Sequence, residues 1–238
     1  MRASDWEFKN RALIFGLIFG CAFACYGFGG QNSTAAVADW LAPKMGRDAT
    51  LLARLLFGAA ALMVTAGALV RSWASAYLES SVVYAAEVKS DALVADGPYR
   101  HVRNPLYFAN LLLAIGLGAM MSRSGFFVAV AVMLWFCYRL ILREERDLEA
   151  SQGARYDRYR REVPRLWFSP APRTQPAGRR ADWAAGFRAE IWCWGFALGV
   201  AVFAVTLRIT AFLVIVAASI FALFFLKKSR EASGSPER

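Results

Sequence analysis

Histidine is almost missing from this chain of 238 residues, with His101 standing alone. Cysteine is scarce as well, and Cys21, Cys25, Cys137 and Cys193 all sit inside apolar runs rather than in loops. That placement suggests neither a disulfide framework nor a zinc site, and the thiols are expected to pack as small hydrophobes. Charge is thin: 19% of residues are charged against 58% hydrophobic, a balance that a water-soluble domain of this size seldom shows. No internal repeat of fixed period is present, and no small-residue cleavage site follows the N-terminal apolar run. That run is therefore expected to be a retained helix rather than a signal peptide.

What charge there is leans one way, to a formal net charge of +10. The basic residues collect beside apolar runs instead of interleaving with polar, base-reading motifs, so a bilayer and not a nucleic acid is the expected partner. A spanning helix needs about 20 mostly apolar residues. Runs that meet or approach this are 12–29, 51–70, 106–121, 126–142, 191–207 and 209–226. The expected fold is all-α: a polytopic transmembrane helical bundle of about six spans, with a cytoplasmic helical extension forming a cofactor pocket. Residues 106–142 read as a hairpin turning at Ser122–Gly125. The last two runs, hinged at Arg208, fit a second hairpin, one long bent helix or a shallow re-entrant pair.

Cytoplasmic loops retain Lys and Arg. Threading from a cytoplasmic N-terminus leaves Lys44, Arg47, Arg123 and Arg208 outside. The inner side receives Arg71, Lys89, Arg100, Arg103, the arginines from Arg143 to Arg188, and Lys227, Lys228 and Arg230. Both termini and both large polar segments then share one face. Residues 72–91 are expected to continue the second span or to lie at the interface. Residues 143–162 read as an extension of the fourth span ending in a short second helix. Ser169 to Arg180, rich in proline and glycine, reads as a loop, and the residues after Lys228 as a disordered tail.

Two stretches carry chemistry. The first is GPYRHVRNPLY, residues 97–107, set directly before the third apolar run. Gly97 and Pro98 make a turn, and Pro105 suits the first turn of a helix. Arg100, Arg103 and Tyr99 then stand at the positive end of that helix, suited to a carboxylate or phosphate. The plainer alternative is that these arginines only obey the positive-inside rule. The second stretch is Arg139, Arg143, Glu144, Glu145, Asp147 and Leu148, followed by Gly153, Tyr156, Tyr159, Val163, Pro164 and Arg165. Successive helical residues diverge by about 100°, so at most one of Glu144 and Glu145 is expected to point into a pocket. Solvated pairing with nearby arginines is the alternative.

In order and spacing, the two stretches and the hairpin between them resemble the isoprenylcysteine carboxyl methyltransferase and phospholipid methyltransferase superfamily of integral membrane enzymes. The resemblance covers residues 96–167. It implies S-adenosyl-L-methionine as cofactor, enclosed on the cytosolic side beneath a lipid-accessible opening, with a membrane lipid or lipophilic small molecule as substrate and no metal. Arg103, Asn104, Pro105 and Tyr107 stand where the family has Arg, His, Pro and Tyr, and Glu144 and Glu145 at its paired glutamates. Arg103, Asn104, Glu144 and Glu145 are the expected catalytic residues; Tyr99, Arg100, His101, Pro105 and Tyr107 complete the expected cofactor site. There are two departures: Asn104 replaces the usual histidine, and Ala109 a usual glycine. Asn keeps a hydrogen-bonding amide but cannot titrate, so cofactor binding survives the change and a proton-transfer role does not, unless His101 stands in. The chain divides accordingly into N-terminal helices with a connector (1–95), a methyltransferase-like core (96–168), a loop (169–188) and a C-terminal hairpin with a basic tail (189–238). A sterol-reductase-type membrane reductase using NADPH and a non-enzymatic membrane scaffold are the competing readings.

Overall fold

The computed structural model describes residues 2–28, 30–85 and 94–232. Gly29, Lys89, Asp91 and the last part of the expected tail, 233–238, lie outside the described residues. The described chain is helical: α1 (Asp5–Lys9), α2 (Arg11–Ala24), α3 (Ser33–Met45), α4 (Ala49–Ala85), α5 (Pro105–Gly118), α6 (Arg123–Gln152), α7 (Ala154–Glu162), α8 (Trp183–Ala189), α9 (Ile191–Thr206) and α10 (Ile209–Ala232). Among the described residues there is no strand, only one isolated bridge between Asn32 and Ser122.

Local sequence explains the starts. Ser4 and Glu7 form a reciprocal capping box on α1, and Asn32, Ser122 and Asp182 accept from the backbone amides of Ala35, Gly125 and Ala185; each satisfies an amide that the first turn leaves open. Pro105 opens α5 at its first turn, where a missing N–H costs nothing. Gly153, with φ +52°, ends α6 and lets α7 turn away.

Among the described residues three helices are long and apolar enough to cross a membrane: 11–28, 49–78 and α6. The pair α8 and α9, bent by 65° at Glu190, adds a fourth if it counts as one span. Thus three or four candidate spans stand where about six were expected, because α5 and residues 209–223 are apolar but short. At 1.5 Å per residue a 14-residue helix reaches about 21 Å, less than a hydrocarbon core of about 30 Å.

A helix ending inside a bundle must find partners for its last carbonyls. For Gly118 O and the three carbonyls that follow α5 they come from the α2–α3 connection. Thr34 Oγ1 donates to Ala119 O (2.8 Å) and Ser33 Oγ to Gly118 O (3.2 Å), while Asn32 Nδ2 donates to Ala119 O and Met121 O (3.2 and 3.3 Å) and the Tyr26 hydroxyl to Met120 O (2.8 Å). The segment carrying Lys44 and Arg47, for which no helix was expected, is thus partly a helix, α3, whose entry caps the end of α5.

α4 is the central pillar, packed against α3, α5, α8 and α9; α5 packs on α6, α2 on α6, and α9 on α10. The α4–α5 contact depends on small residues, as close helix pairs in membranes generally do. A Cβ on Gly116 would lie 2.5 Å from Val64 Cγ2 and 2.9 Å from Ala60 O. Gly116→Ala is therefore expected to cost about 1–3 kcal/mol through overpacking, read as a lower thermal transition in detergent. An unchanged transition would show that α5 slides freely on α4.

Candidate functional site

Both polar segments of the sequence meet at one end of the bundle. Arg103 N donates to Pro164 O (2.9 Å), Arg173 N to Arg100 O (2.8 Å), Ser169 N to His101 O (3.0 Å) and Asp182 N to Ala76 O (3.1 Å). Buried Asp96 ties down the same loop, accepting from the amides of Ala177 (2.8 Å) and Arg179 (3.0 Å). These bonds fasten residues 164–182 onto the 96–104 turn and the α4 exit.

Residues 97–100 form a 3₁₀ turn, at the turn expected from Gly97 and Pro98. Asn104 leaves the helical region, at φ −123° and ψ 62°, as the ring of the following proline requires. The turn aims Arg103 and Asn104 inward at α6. Arg103 Nη1 lies 3.3 Å from Glu145 Oε1, with both side chains less than a tenth exposed. Asn104 Nδ2 donates to Arg165 O (2.9 Å) and reaches Glu145 Oε1 at 3.4 Å. Arg165 closes on the same carboxylate from outside, Nη2 to Oε2 at 2.8 Å and Nε to Oε2 at 3.0 Å.

Glu144 turns to a different partner. It accepts from the Tyr107 hydroxyl at 2.7 Å, so the adjacent carboxylates serve two separate contacts. Arg103 is less well served: its Nε and Nη1 are buried without a hydrogen-bond partner, the approach to Glu145 being an ion pair of poor hydrogen-bond geometry. Buried donors left unpaired cost free energy, so this guanidinium retains capacity for another acceptor.

The surroundings are dry and aromatic. Tyr156 and Tyr159 on α7 pack with Val163 in a small core, and the Tyr159 hydroxyl donates to Tyr99 O (2.7 Å). Burial, then the charge of Glu145, pushes the Tyr156 phenol up to about 12, while Arg103 opposes the shift. Burial also raises Tyr99 and Tyr159. All three phenols therefore keep their protons at neutral pH, and each remains a donor. Hydrogen bonding to Glu145 holds the Arg165 guanidinium above its usual range.

Arg103, Asn104 and Glu145 are thus brought together, with Tyr107 and Glu144 paired next to them on α5 and α6. Two expected site residues turn elsewhere. His101 places Nδ1 2.8 Å from Ser169 O and stacks on Phe168 at 5.1 Å, while Arg100 sends Nε to Thr174 O (2.9 Å). Arg165 and Tyr156, noted in the sequence only as following the acidic stretch, prove to be direct neighbours of the cluster. Arg71 read only as inner-side charge and Glu190 carried no signal, yet they form a buried pair: Nε to Oε2 at 2.6 Å and Nη2 to Oε1 at 3.0 Å. Asn110 Oδ1 accepts from Arg71 Nη1 (2.7 Å), and Ser75 Oγ donates to Glu190 Oε1 (2.7 Å). Among the described residues no group of three or more His, Cys, Asp or Glu is placed to hold a metal ion.

Residues 54–154, from α4 to the start of α7, match the sequence model of the phospholipid methyltransferase family. That family belongs to the integral membrane methyltransferase superfamily. The matched segment contains Arg103, Asn104, Glu144 and Glu145 but stops short of Arg165. Among curated proteins, the chain is 33% identical over 117 residues to the cobalt-zinc-cadmium resistance protein CzcN of Cupriavidus metallidurans, covering 49% of this chain and 51% of that one. It is 30% identical over 117 residues to the nickel-cobalt-cadmium resistance protein NccN of Alcaligenes xylosoxydans xylosoxydans, covering 49% and 52%. The matched part is about half the length of these relatives. No solved structure matches the chain.

Proposed function

We propose that this protein is a membrane-embedded methyltransferase that takes S-adenosylmethionine at the Arg103–Glu145 cluster and methylates a lipophilic acceptor. The observation that carries the reading is the buried, under-bonded guanidinium of Arg103 facing a carboxylate. Such a pair suits a zwitterion: Arg103 and the Asn104 amide hold a carboxylate, and Glu145 or Glu144 holds an ammonium or ribose hydroxyls. Members of the matched family use S-adenosylmethionine. When bound, this cofactor supplies an electrophilic sulfonium methyl, leaving the protein chiefly to align an acceptor and exclude water. Arg103 and Glu145 fill the space between themselves, so binding separates them and each charge exchanges its partner for the ligand's.

Tyr99, Tyr107 and Tyr156, all protonated donors, wall the site against water. Asn104 positions without titrating, and His101 is held on Phe168 and Ser169. Neither Asn104 nor His101 thus offers a base beside Arg103, which favours an acceptor that is already an anion, a carboxylate or thiolate, over an amine that must first lose a proton. The acceptor enters sideways from the bilayer, and the arginine-rich end that carries the site faces the cytoplasm.

Binding of S-adenosylmethionine and of NADPH to the purified protein in detergent separates the readings. Saturable binding of the former, weakened in Arg103→Ala, supports the proposal. Saturable binding of NADPH alone would establish the reductase reading, and binding of neither would leave a scaffold. Transfer of a labelled methyl into a total lipid extract, with the product identified, then names the acceptor.

A further inference from the structure

A polar cavity lies between α7 and the loop at residues 172–175. Its volume is about 520 Å³, and Arg100, Arg158, Glu162, Pro172, Arg173, Thr174 and Gln175 line it. Three arginines and one glutamate are thus among its lining, and its volume is within the range of small-ligand sites. The walls are held from outside the cavity. Arg100 O accepts from Arg173 N, Arg100 Nε donates to Thr174 O at 2.9 Å, and Arg173 Nε donates to Ser169 Oγ at 2.9 Å. Each of these two arginines uses its Nε on the loop, which fixes where the rest of its guanidinium stands. The third, Arg158, is exposed on α7, and its guanidinium makes no hydrogen bond or ion pair among the described residues.

We infer that this cavity is a phosphate-binding site, separate from the methyl-transfer site and additional to the function proposed above. The chemistry favours phosphate over a simple carboxylate. A tetrahedral phosphate presents three oxygens to three converging cations, whereas one planar carboxylate satisfies a single guanidinium fork. The Thr174 and Gln175 side chains add neutral donors. Two of the three arginines are already held by the loop, so little ordering entropy opposes binding. The site lies on the 169–175 loop that also touches His101, so an occupied cavity would hold that loop against the turn bearing Arg103.

The phosphate can be free or carried on a lipid, and the experiment distinguishes them. Binding of sn-glycerol 3-phosphate to the detergent-purified full chain is measured by calorimetry. Binding of nanodisc-embedded protein to phosphatidic acid is measured against phosphatidylcholine alone. The expected result is saturable binding to at least one phosphomonoester, weakened about tenfold or more in Arg158→Gln and in Arg173→Gln, as loss of one charge-assisted contact implies. S-adenosylmethionine binding should be retained in both variants. Saturation by glycerol 3-phosphate marks a soluble ligand, and saturation by phosphatidic acid alone marks a lipid headgroup; either supports the site. No saturable binding, or binding that both variants leave intact, would overturn it. Loss of S-adenosylmethionine binding in both variants would also overturn it, by showing the cavity to be part of the cofactor site. If the wild-type chain binds phosphate but never binds S-adenosylmethionine, the phosphate site stands and the methyltransferase reading fails.

Discussion

Glu190→Ala is expected to lower the stability of the bundle by about 3–5 kcal/mol, the range for removing one partner of a buried ion pair. Glu190 stands where α8 and α9 meet at 65°, and its side chain is 5% exposed against 16% for Arg71. Its two oxygens collect Arg71 Nε and Nη2 and the Ser75 hydroxyl, so truncation strands a cation, a hydroxyl and a bend together. Arg71 cannot shed its charge by losing a proton, and it is tied on the far side to Asn110 on α5. Glu190→Gln keeps an acceptor and is expected to cost less than the alanine variant. The double variant Arg71→Met with Glu190→Met removes both charges while keeping volume, and is expected to recover most of the loss. Reversible unfolding in mixed micelles measures all three. Equal destabilisation by Glu190→Ala and by the double variant would show that the pair is not what holds the bend.

That network also shows what the sequence could and could not disclose. Each of the six apolar runs has a helix in the structure, and the polar extension of the fourth continues as α6 and α7, because hydrophobic length and a glycine break are local signals. The span count was less legible. Whether a 14-residue helix crosses a bilayer depends on what caps it, and Asn32, Ser33 and Thr34, which cap α5, lie 85 to 89 residues away in the chain. α3 was hidden by Pro43 and by its mixed composition; Trp40, exposed beneath Lys44 Nζ at 3.1 Å, is a residue type suited to a membrane interface. Arg71 and Glu190 are 119 residues apart. No spacing rule links them, and an arginine at a helix exit reads as positive-inside charge until its partner is seen. The approach of Arg103 to the acidic pair was legible because an antiparallel hairpin must bring the start of α5 beside the end of α6. Burial was not: these side chains were expected at the interface, yet Asn104 and Glu145 are less than a tenth exposed. The loop and α7 close over them.

Burial changes what Glu145→Ala should do. At an exposed interface the variant would only weaken cofactor binding. Here it also leaves Arg103 buried without its counter-charge, at a cost of about 3–5 kcal/mol, while Arg165, more than a third exposed, turns to water at little cost. The expected result is loss of S-adenosylmethionine binding together with a lower unfolding transition. Arg103→Ala removes the buried cation and leaves Glu145 its bonds to Arg165. It should lose about 10- to 100-fold in cofactor affinity, as one charge-assisted contact is worth, with a smaller change in stability. The double variant Arg103→Ala with Glu145→Ala is then expected to be more stable than Glu145→Ala alone and still unable to bind. Glu144→Gln is the control on the neighbouring carboxylate. The Tyr107 hydroxyl can still donate to the amide oxygen, so stability should move by no more than about 1 kcal/mol. If Glu145→Ala unfolds no earlier than the wild-type chain and binds the cofactor as well, the buried pair is a bystander and the methyl donor is held elsewhere.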